Sequence, residues 1–119
     1  MKKTLVFGAS LKPDRYSNLA VRRLNSQGIE TEAFGLVSGE IDGVEIKTSP
    51  NSFEDIHTVS LYMKPKRQRE FYQDIIDLKP KRVIFNPGTE NPEFYDLLRE
   101  AGIEVDPACT LTLLAIDRY

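Results

Sequence analysis

Short apolar runs alternate along the chain with longer segments whose apolar residues recur at helical spacing. Runs of β-favouring residues occupy positions 4–8, 31–36, 58–62, 82–86 and 103–106. Each ends at or close to a polar or glycine-containing turn, which predicts five main strands. The alternation of strands and helices through short connections predicts a parallel sheet with helices on both faces.

Three segments between these strands have the apolar spacing of amphipathic helices. The first covers 16–27 and the second 66–78. The third begins with Pro92 in its first position after the cap residue Asn91. Glycine can end a helix because it accepts a left-handed conformation, and the predicted terminators are Gly28 and Gly102. The residues predicted on the buried faces are Leu19, Ala20, Leu24 and Gln27, then Phe71, Tyr72, Ile75 and Ile76, then Phe94, Leu97, Leu98 and Ala101.

Two further segments are less regular. Residues 44–47 predict a short edge strand, whose exposed backbone could pair with another chain, and the apolar tail 109–119 predicts a last helix or a covering segment. Because crossover connections in parallel sheets are right-handed, the order of these elements predicts a doubly wound topology. The predicted fold is α/β, a doubly wound (Rossmann-like) parallel sheet of five to six strands with helices on both faces, in a single domain over 1–119.

Composition narrows the function classes. The chain has 119 residues, enough for one core, and a net charge of −2, which gives no global attraction to nucleic acid or membranes. No apolar stretch approaches the roughly 20 residues of a membrane span, and the N-terminus lacks the features of a signal peptide. One cysteine and one histidine exclude an internal disulfide and a Cys-pair metal site. We therefore predict a cytoplasmic protein without a metal.

The turn after the first strand is the first candidate for chemistry. In open parallel sheets, ligands bind at the carboxyl ends of the strands where the chain order reverses, here between this turn and the turn after the third main strand. Gly8 permits close backbone approach, and Ser10 and Ser17 supply hydroxyl groups. Lys12 and Arg15 precede a helix whose first N–H groups suit an anion. The two serines could alternatively be helix caps.

The turn after the third main strand carries four cations, Lys64, Lys66, Arg67 and Arg69. They stand at the start of a predicted helix, where the helix dipole disfavours each exposed positive charge by roughly 0.3–1 kcal/mol. An anionic ligand in the crevice would reverse this effect, although a solvated charged face is the alternative. The corresponding turn at 87–92 is acidic, as helix starts usually are. The cationic bias is therefore local to the two turns that flank the predicted crevice.

These residues also carry a family resemblance. VFGASLKPDRYSNLA, VSLYMKPKRQ, VIFNPGTENPE and the segment around Cys109 resemble the small single-domain CoA-binding proteins, whose fold is similar to the nucleotide-binding domain of the succinyl-CoA synthetase α subunit. The resemblance covers essentially the whole chain. Many relatives have Asn-Pro after the second strand and Leu-Gly after the fourth, where this chain has Phe34-Gly35-Leu36 and Asn86-Pro87-Gly88.

The resemblance implies coenzyme A or an acyl-CoA as the ligand. It implies that the phosphates are held by Gly8, Ala9, Ser10, Lys12, Arg15 and Ser17. The nucleotide or pantetheine side would be lined by Tyr62, Met63, Lys64 and Pro65, and the far lip by Pro87, Gly88 and Thr89. Tyr16, Gln68 and Cys109 complete the predicted cofactor-binding set. The function implied is that of a non-catalytic binding, carrier or regulatory module.

Two enzyme classes compete with this interpretation. A small NAD(P)-binding oxidoreductase-like domain would need a G-x-G-x-x-G turn, but Ser10 and Pro13 stand at the later glycine positions. It would also need an acidic residue at the end of the second strand, whereas Glu32 lies within that strand. An acyl-CoA or phosphoryl-transfer enzyme would need a phosphorylatable histidine, and His57 precedes a buried strand instead.

Cys109 has no histidine nearby in sequence and no phosphate-loop arginine after it, which predicts a buried small apolar residue. Because it follows the last strand near the predicted crevice, a mixed disulfide with the thiol of CoA is the alternative. The sequence otherwise indicates no catalytic constellation.

Overall fold

Seven strands form a single sheet in the computed structural model, which describes residues 2–119. Strands β1 to β7 are Thr4–Phe7, Thr31–Phe34, Gly39–Ile41, Val44–Lys47, Thr58–Leu61, Arg82–Phe85 and Glu104–Asp106. Helices α1 to α5 are Tyr16–Ser26, Pro65–Gln68, Tyr72–Asp77, Pro92–Glu100 and Thr110–Ala115. The strand order is β3-β4-β2-β1-β5-β6-β7, and every neighbouring pair is parallel except β3 and β4. The predicted doubly wound α/β fold is confirmed.

The chain order reverses at the centre of the sheet. β1 pairs with β2 on one side, with Thr4 opposite Thr31, and with β5 on the other, with Thr4 opposite Thr58. All four residues of β1, β5 and β6 are buried, because helices cover both faces of these strands. The carboxyl ends of β1 and β5 therefore meet at the position predicted for the ligand crevice.

Two apolar clusters hold the helices on the sheet. Because successive side chains of a strand point to opposite faces, Val6 packs with Val21 and Leu24 of α1 on one face. Leu5 and Phe7 pack in the other cluster with Ile75 of α3 and with the buried residues of α4. No helix within residues 2–119 combines the length and the apolar character needed to cross a membrane.

The strand count and one strand position differ from the sequence prediction. The sheet has seven strands instead of five or six, because Gly39–Ile41 adds an antiparallel strand. Residues 44–47 do form a strand, but it lies between β2 and β3 and is not at the edge. The short turn at Asp42-Gly43, where both residues have positive φ, closes this hairpin, and only a glycine and an adjacent aspartate signalled it.

The helix predicted over 66–78 is interrupted. Residues Pro65–Gln68 and Tyr72–Asp77 are α-helical, and Arg69–Phe71 between them forms a 3₁₀ turn. The tighter turn places the Phe71 ring edge-on against Phe7 and Phe34, with ring centroids 5.5 and 5.2 Å apart. The packing of the Phe71 ring therefore interrupts the continuous helix that the apolar spacing predicted.

Some predicted core positions near helix ends are exposed. Gln27 and Ala101 are the C-terminal cap residues of α1 and α4, where the backbone leaves the helix, so neither side chain reaches the core. Leu97 is also exposed. The cap at the other end of α4 is as predicted, since the Asn91 side chain accepts a hydrogen bond from the Phe94 amide at 3.3 Å.

Candidate functional site

The turns after β1 and β5 touch each other at Gly8. This glycine has a φ of +105°, and a Cβ atom there would lie 3.1 Å from Met63 Cγ and 3.3 Å from the Met63 nitrogen. A side chain at this position would therefore strain the backbone and press on the neighbouring turn. The absence of a side chain at Gly8 thus lets the turns after β1 and β5 pack closely together. The two turns border a cleft that Gly8 lines.

The first turn is also fixed to the end of β2. The amides of Gly8 and Ala9 both donate to the Phe34 carbonyl oxygen at 2.8 Å. A Cβ atom on Gly35 would lie only 2.5 Å from the Ala9 carbonyl oxygen, so glycine is needed at this position. The amides of Gly8 and Ala9 are therefore not free to bind an anion in the cleft.

The cleft has two joined compartments. The larger compartment, about 500 Å³, is lined by Gly8, Ala9, Ser10, Leu11, Lys12, Leu36, Val37, Tyr62, Met63, Lys64 and Arg67. The smaller compartment, about 290 Å³, is lined by Gly8, Ser10, Arg15, Tyr16, Ser17, Tyr62, Lys64, Pro87, Gly88 and Thr89. Four residues line both: Gly8, Ser10, Tyr62 and Lys64. Thirteen of the sixteen predicted ligand residues thus line one or both of these adjoining compartments.

The electrostatics of the cleft are one-sided. Lys12, Arg15, Lys64 and Arg67 are exposed around it and take part in none of the ion pairs among residues 2–119. Neither compartment is lined by an aspartate or a glutamate. Like charges gathered without counterions repel one another, and this repulsion is relieved when an anion binds between them.

The start of α1 borders the smaller compartment of this positively charged cleft. Its N-cap residue is Arg15, with no side-chain hydrogen bond to the helix, and its first turn contains no acidic residue. α4 shows the ordinary arrangement, with an asparagine cap and Glu93 in the first turn. The first N–H groups of α1 therefore add partial positive charge to the smaller compartment.

Neither Ser10 nor Ser17, the two serines that follow β1, caps α1. Ser10 Oγ accepts a hydrogen bond from the Lys12 amide at 3.2 Å, while Asn18 Nδ2 donates to the Ser10 carbonyl oxygen at 2.8 Å. These bonds fix the shape of the turn. Ser17 is buried within the first turn of α1 and lines the smaller compartment. Both serines are lining residues of the cleft.

Three predicted ligand residues do not line the cleft. Gln68 is fully buried, and its Nε2 donates to the carbonyl oxygens of Met63 and Thr89, both at 2.8 Å. It joins the turn after β5 to the turn after β6 from below. Pro65 lines a separate cavity on the other side of α2. Cys109 is half-buried as the N-cap residue of α5 and lines neither compartment.

A buried polar network supports the cleft from beneath. Asn86 Nδ2 donates to Ser60 Oγ at 3.0 Å and to the Leu61 carbonyl oxygen at 2.9 Å, and its Oδ1 accepts from the Thr110 amide at 2.8 Å. The hydroxyls of Ser60 and Thr110 are 2.7 Å apart. These bonds connect the ends of β5 and β6 to the start of α5. The asparagine at the turn after β6 therefore has a structural role.

Tyr62 lies between the two compartments and lines both. Its hydroxyl group is buried and has no hydrogen-bond partner among residues 2–119. Burial, and then the nearby negative charge of an ionised Cys109, raise the pKa of Tyr62 above its ordinary value, and the neighbouring Ser60 and Thr110 hydroxyls, which are too poorly placed for a hydrogen bond, oppose this only in part. The phenol therefore stays neutral at physiological pH.

Sequence reasoning missed three exposed apolar residues of the larger compartment, Leu11, Leu36 and Val37. Arg67 also lines this compartment; the sequence placed it among the cations beside the crevice but not in the predicted ligand set. Leu36 and Val37 follow the carboxyl end of β2, next to β1. The rule that places ligands at strand ends could have identified them, had the loop after the second strand been included.

The residues considered for enzyme chemistry lie away from the cleft. Glu32 forms ion pairs with Lys3 at 3.0 Å and Lys47 at 3.4 Å within the sheet. His57 precedes β5, at the opposite end of the strand from the cleft, and its Nδ1 is 2.8 Å from Thr58 Oγ1. Within residues 2–119, no group of side chains is arranged to hold a metal ion.

Comparison with solved structures gives matches over nearly the whole of this chain. One match is the crystal structure of an uncharacterized protein whose sequence is 45% identical to this chain. The alignment covers 100% of this chain and 98% of the other, with a TM-score of 0.96. A hypothetical protein from Pyrococcus horikoshii OT3 is 30% identical over 93% of this chain and 80% of its own, with a TM-score of 0.84. A protein from Thermus thermophilus, 24% identical, covers 99% of this chain and 90% of its own, and its TM-score of 0.88 shows the same fold.

The search of curated proteins gives no significant match. The family model described as a CoA binding domain matches residues 2–115, nearly the whole chain. This match agrees with the resemblance seen in the motifs after the strands and with the position of the cleft at the topological switch point. The chain therefore belongs to the CoA binding domain family.

Proposed function

We propose that this chain is a cytoplasmic, non-catalytic module, formed by a domain over residues 1–119, that binds CoA or an acyl-CoA in the cleft for carriage or regulation. The observation that supports this most is the clustering of Lys12, Arg15, Lys64 and Arg67 around a cleft without acidic residues. Charge-assisted hydrogen bonds from such cations to phosphate are about twice as strong as neutral ones.

The two compartments suit the two ends of such a ligand. CoA joins an adenosine to a long pantetheine arm through a diphosphate. The diphosphate would lie where the compartments join, near Lys64 and Ser10, within reach of Arg15 at the start of α1. Apolar side chains in the larger compartment would contact the base, and the turn at 87–89 would border the arm.

A dinucleotide is the second candidate, and the cleft offers it less. The ribose hydroxyls of NAD require a carboxylate at the end of the second strand. Here Gly35, Leu36 and Val37 stand at that place, and Glu32 is bound in ion pairs to two lysines. Catalysis is not part of the proposal, because the one histidine lies at the far end of β5.

A thermal-shift panel tests the ligand. At a CoA concentration about a hundred times Kd, binding stabilises the folded state by about 2.7 kcal/mol, which raises Tm by several degrees for a domain of this size. We expect this shift with CoA and none with NAD(H) or NADP(H). Stabilisation by a dinucleotide and none by CoA would refute the proposal. Mass spectrometry of protein purified without added ligand would identify any retained acyl-CoA directly.

Charge removal tests the phosphate assignment. Replacing Lys12 and Arg15 together by alanine should weaken CoA binding by roughly tenfold or more and reduce its dependence on ionic strength. Arg23→Ala with Lys81→Ala is the matched control, because it removes two exposed charges away from the cleft. Equal affinities in the two double variants would show that Lys12 and Arg15 do not contact the phosphates.

A further inference from the structure

The cations that follow Lys64 lie in different surroundings. Arg67 lines the larger compartment and has no ion pair with a carboxylate in residues 2–119. Lys66 and Arg69 line a separate cavity of about 440 Å³ on the other side of α2. Arg69 is also paired there, with its Nε 3.4 Å from Glu93 Oε1. One of the three is therefore directed to the cleft, and the other two serve as natural controls.

The positive charges divide between the compartments. Lys12 and Arg67 line only the larger compartment, Arg15 lines only the smaller one, and Lys64 lines both. The cleft thus offers one cation, Lys64, where the compartments adjoin, and a pair, Lys12 and Arg67, that lines only the larger compartment. A ligand that matches this pattern carries one anionic group near Lys64, where the compartments adjoin, and a second anionic group in the larger compartment.

The larger compartment combines its two cations with the apolar side chains of Leu11, Leu36 and Val37. These side chains are 43%, 55% and 66% exposed without a ligand, so a flat apolar group placed against them would remove apolar surface from water. A purine base whose sugar carries a phosphate monoester presents both features. CoA has such a group, the 3′-phosphate of its adenosine, in addition to its diphosphate.

We propose that Arg67 is a specificity-determining residue that binds the terminal phosphate monoester, so that the cleft prefers CoA over 3′-dephospho-CoA. This inference rests on the proposed function. A guanidinium presents a planar fork of N–H donors that matches two phosphate oxygens, whereas an ammonium acts as a point charge. A monoester also carries more than one negative charge near pH 7, which strengthens its attraction to the two cations of the larger compartment.

Binding titrations of the full chain with CoA and 3′-dephospho-CoA test this assignment. The unmodified protein should bind CoA at least tenfold more tightly. Arg67→Ala should weaken CoA binding about tenfold and leave 3′-dephospho-CoA binding unchanged, and Arg67→Lys should restore only part of the loss. Lys66→Ala and Arg69→Ala should leave both affinities within about twofold. Arg67 is exposed, so its replacement should not disturb folding, which a melting curve checks.

The outcomes separate this inference from the proposed function. If the unmodified protein binds neither compound, the proposed function fails, and this inference fails with it. If it binds both compounds with equal affinity, the proposed function stands and the role of Arg67 is refuted. An equal loss of both affinities in Arg67→Ala would assign this arginine to the diphosphate and would also refute the inference.

Discussion

Replacement of Asn86 by alanine gives the sharpest test of how the cleft is supported. This side chain is 1% exposed and makes three hydrogen bonds that join β5, β6 and α5. The Thr110 amide is the first N–H of α5 and has no partner within the helix. Without Asn86 Oδ1, a buried donor at a fully buried residue is left unpaired.

The magnitude follows from these bonds. An unsatisfied buried N–H costs about 1–3 kcal/mol, and each of the two other hydrogen bonds contributes about 0.5–1.5 kcal/mol. Asn86→Ala should therefore lower the free energy of unfolding by roughly 2–6 kcal/mol. Since small domains are stable by only about 5–15 kcal/mol, this loss would be a large fraction of the total.

Urea denaturation followed by far-UV circular dichroism measures this change. The midpoint should fall while the slope with denaturant stays the same, because the surface exposed on unfolding changes little. Asn25→Ala is the matched control, since Asn25 is exposed and makes a single 3.1 Å hydrogen bond to the Asp42 carbonyl oxygen. A loss below 1 kcal/mol for Asn86, similar to that of Asn25, would refute the reasoning.

Three other predictions concern stability. Gly35→Ala should lower the free energy of unfolding, measured by urea denaturation, more than Gly39→Ala does. A Cβ on Gly35 meets the backbone oxygen of Ala9 at 2.5 Å, while one on Gly39 meets the exposed Leu11 side chain at 2.6 Å, which can rotate away; an equal cost would contradict this. Tyr62→Phe removes a buried hydroxyl without a partner and should leave Tm unchanged or raise it, so a clear fall in Tm would reveal a hidden partner. Burial and nearby positive charge lower the pKa of His57 in the folded protein. The unfolded chain therefore takes up a proton near pH 6.5, while the folded protein does so only at lower pH. The free energy of unfolding should fall as the pH drops below about 6.5, and His57→Gln should flatten this dependence.

Much of the fold could be predicted because its signals are local. Short runs of β-favouring residues identified every main strand, and Asn91 with Pro92 identified the start of α4. The antiparallel strand was missed because Gly39–Ile41 has only three residues and one fully buried side chain. The break between α2 and α3 depends on where Phe71 packs, which is tertiary information.

The candidate site divides in the same way. Turns after parallel strands must come together, so the positions of Gly8, Lys12 and Lys64 could be predicted from topology and charge. The inward orientation of Gln68 could not, since the direction of a helical side chain depends on the phase of a short helix. The opposite directions of Arg67 and Arg69 depend on that same phase and on the 3₁₀ turn.

The apolar wall of the larger compartment is attached to one edge of the sheet. Leu36 and Val37 belong to the loop that leads into β3, and β3 has a single neighbouring strand. Regions with few partners open locally at a fraction of the free energy of global unfolding. Amide hydrogens of 36–41 should therefore exchange with solvent well before those of β1. The compartment can widen through such openings while the central strands and the phosphate-facing residues keep their geometry, so this segment would adapt to the ligand.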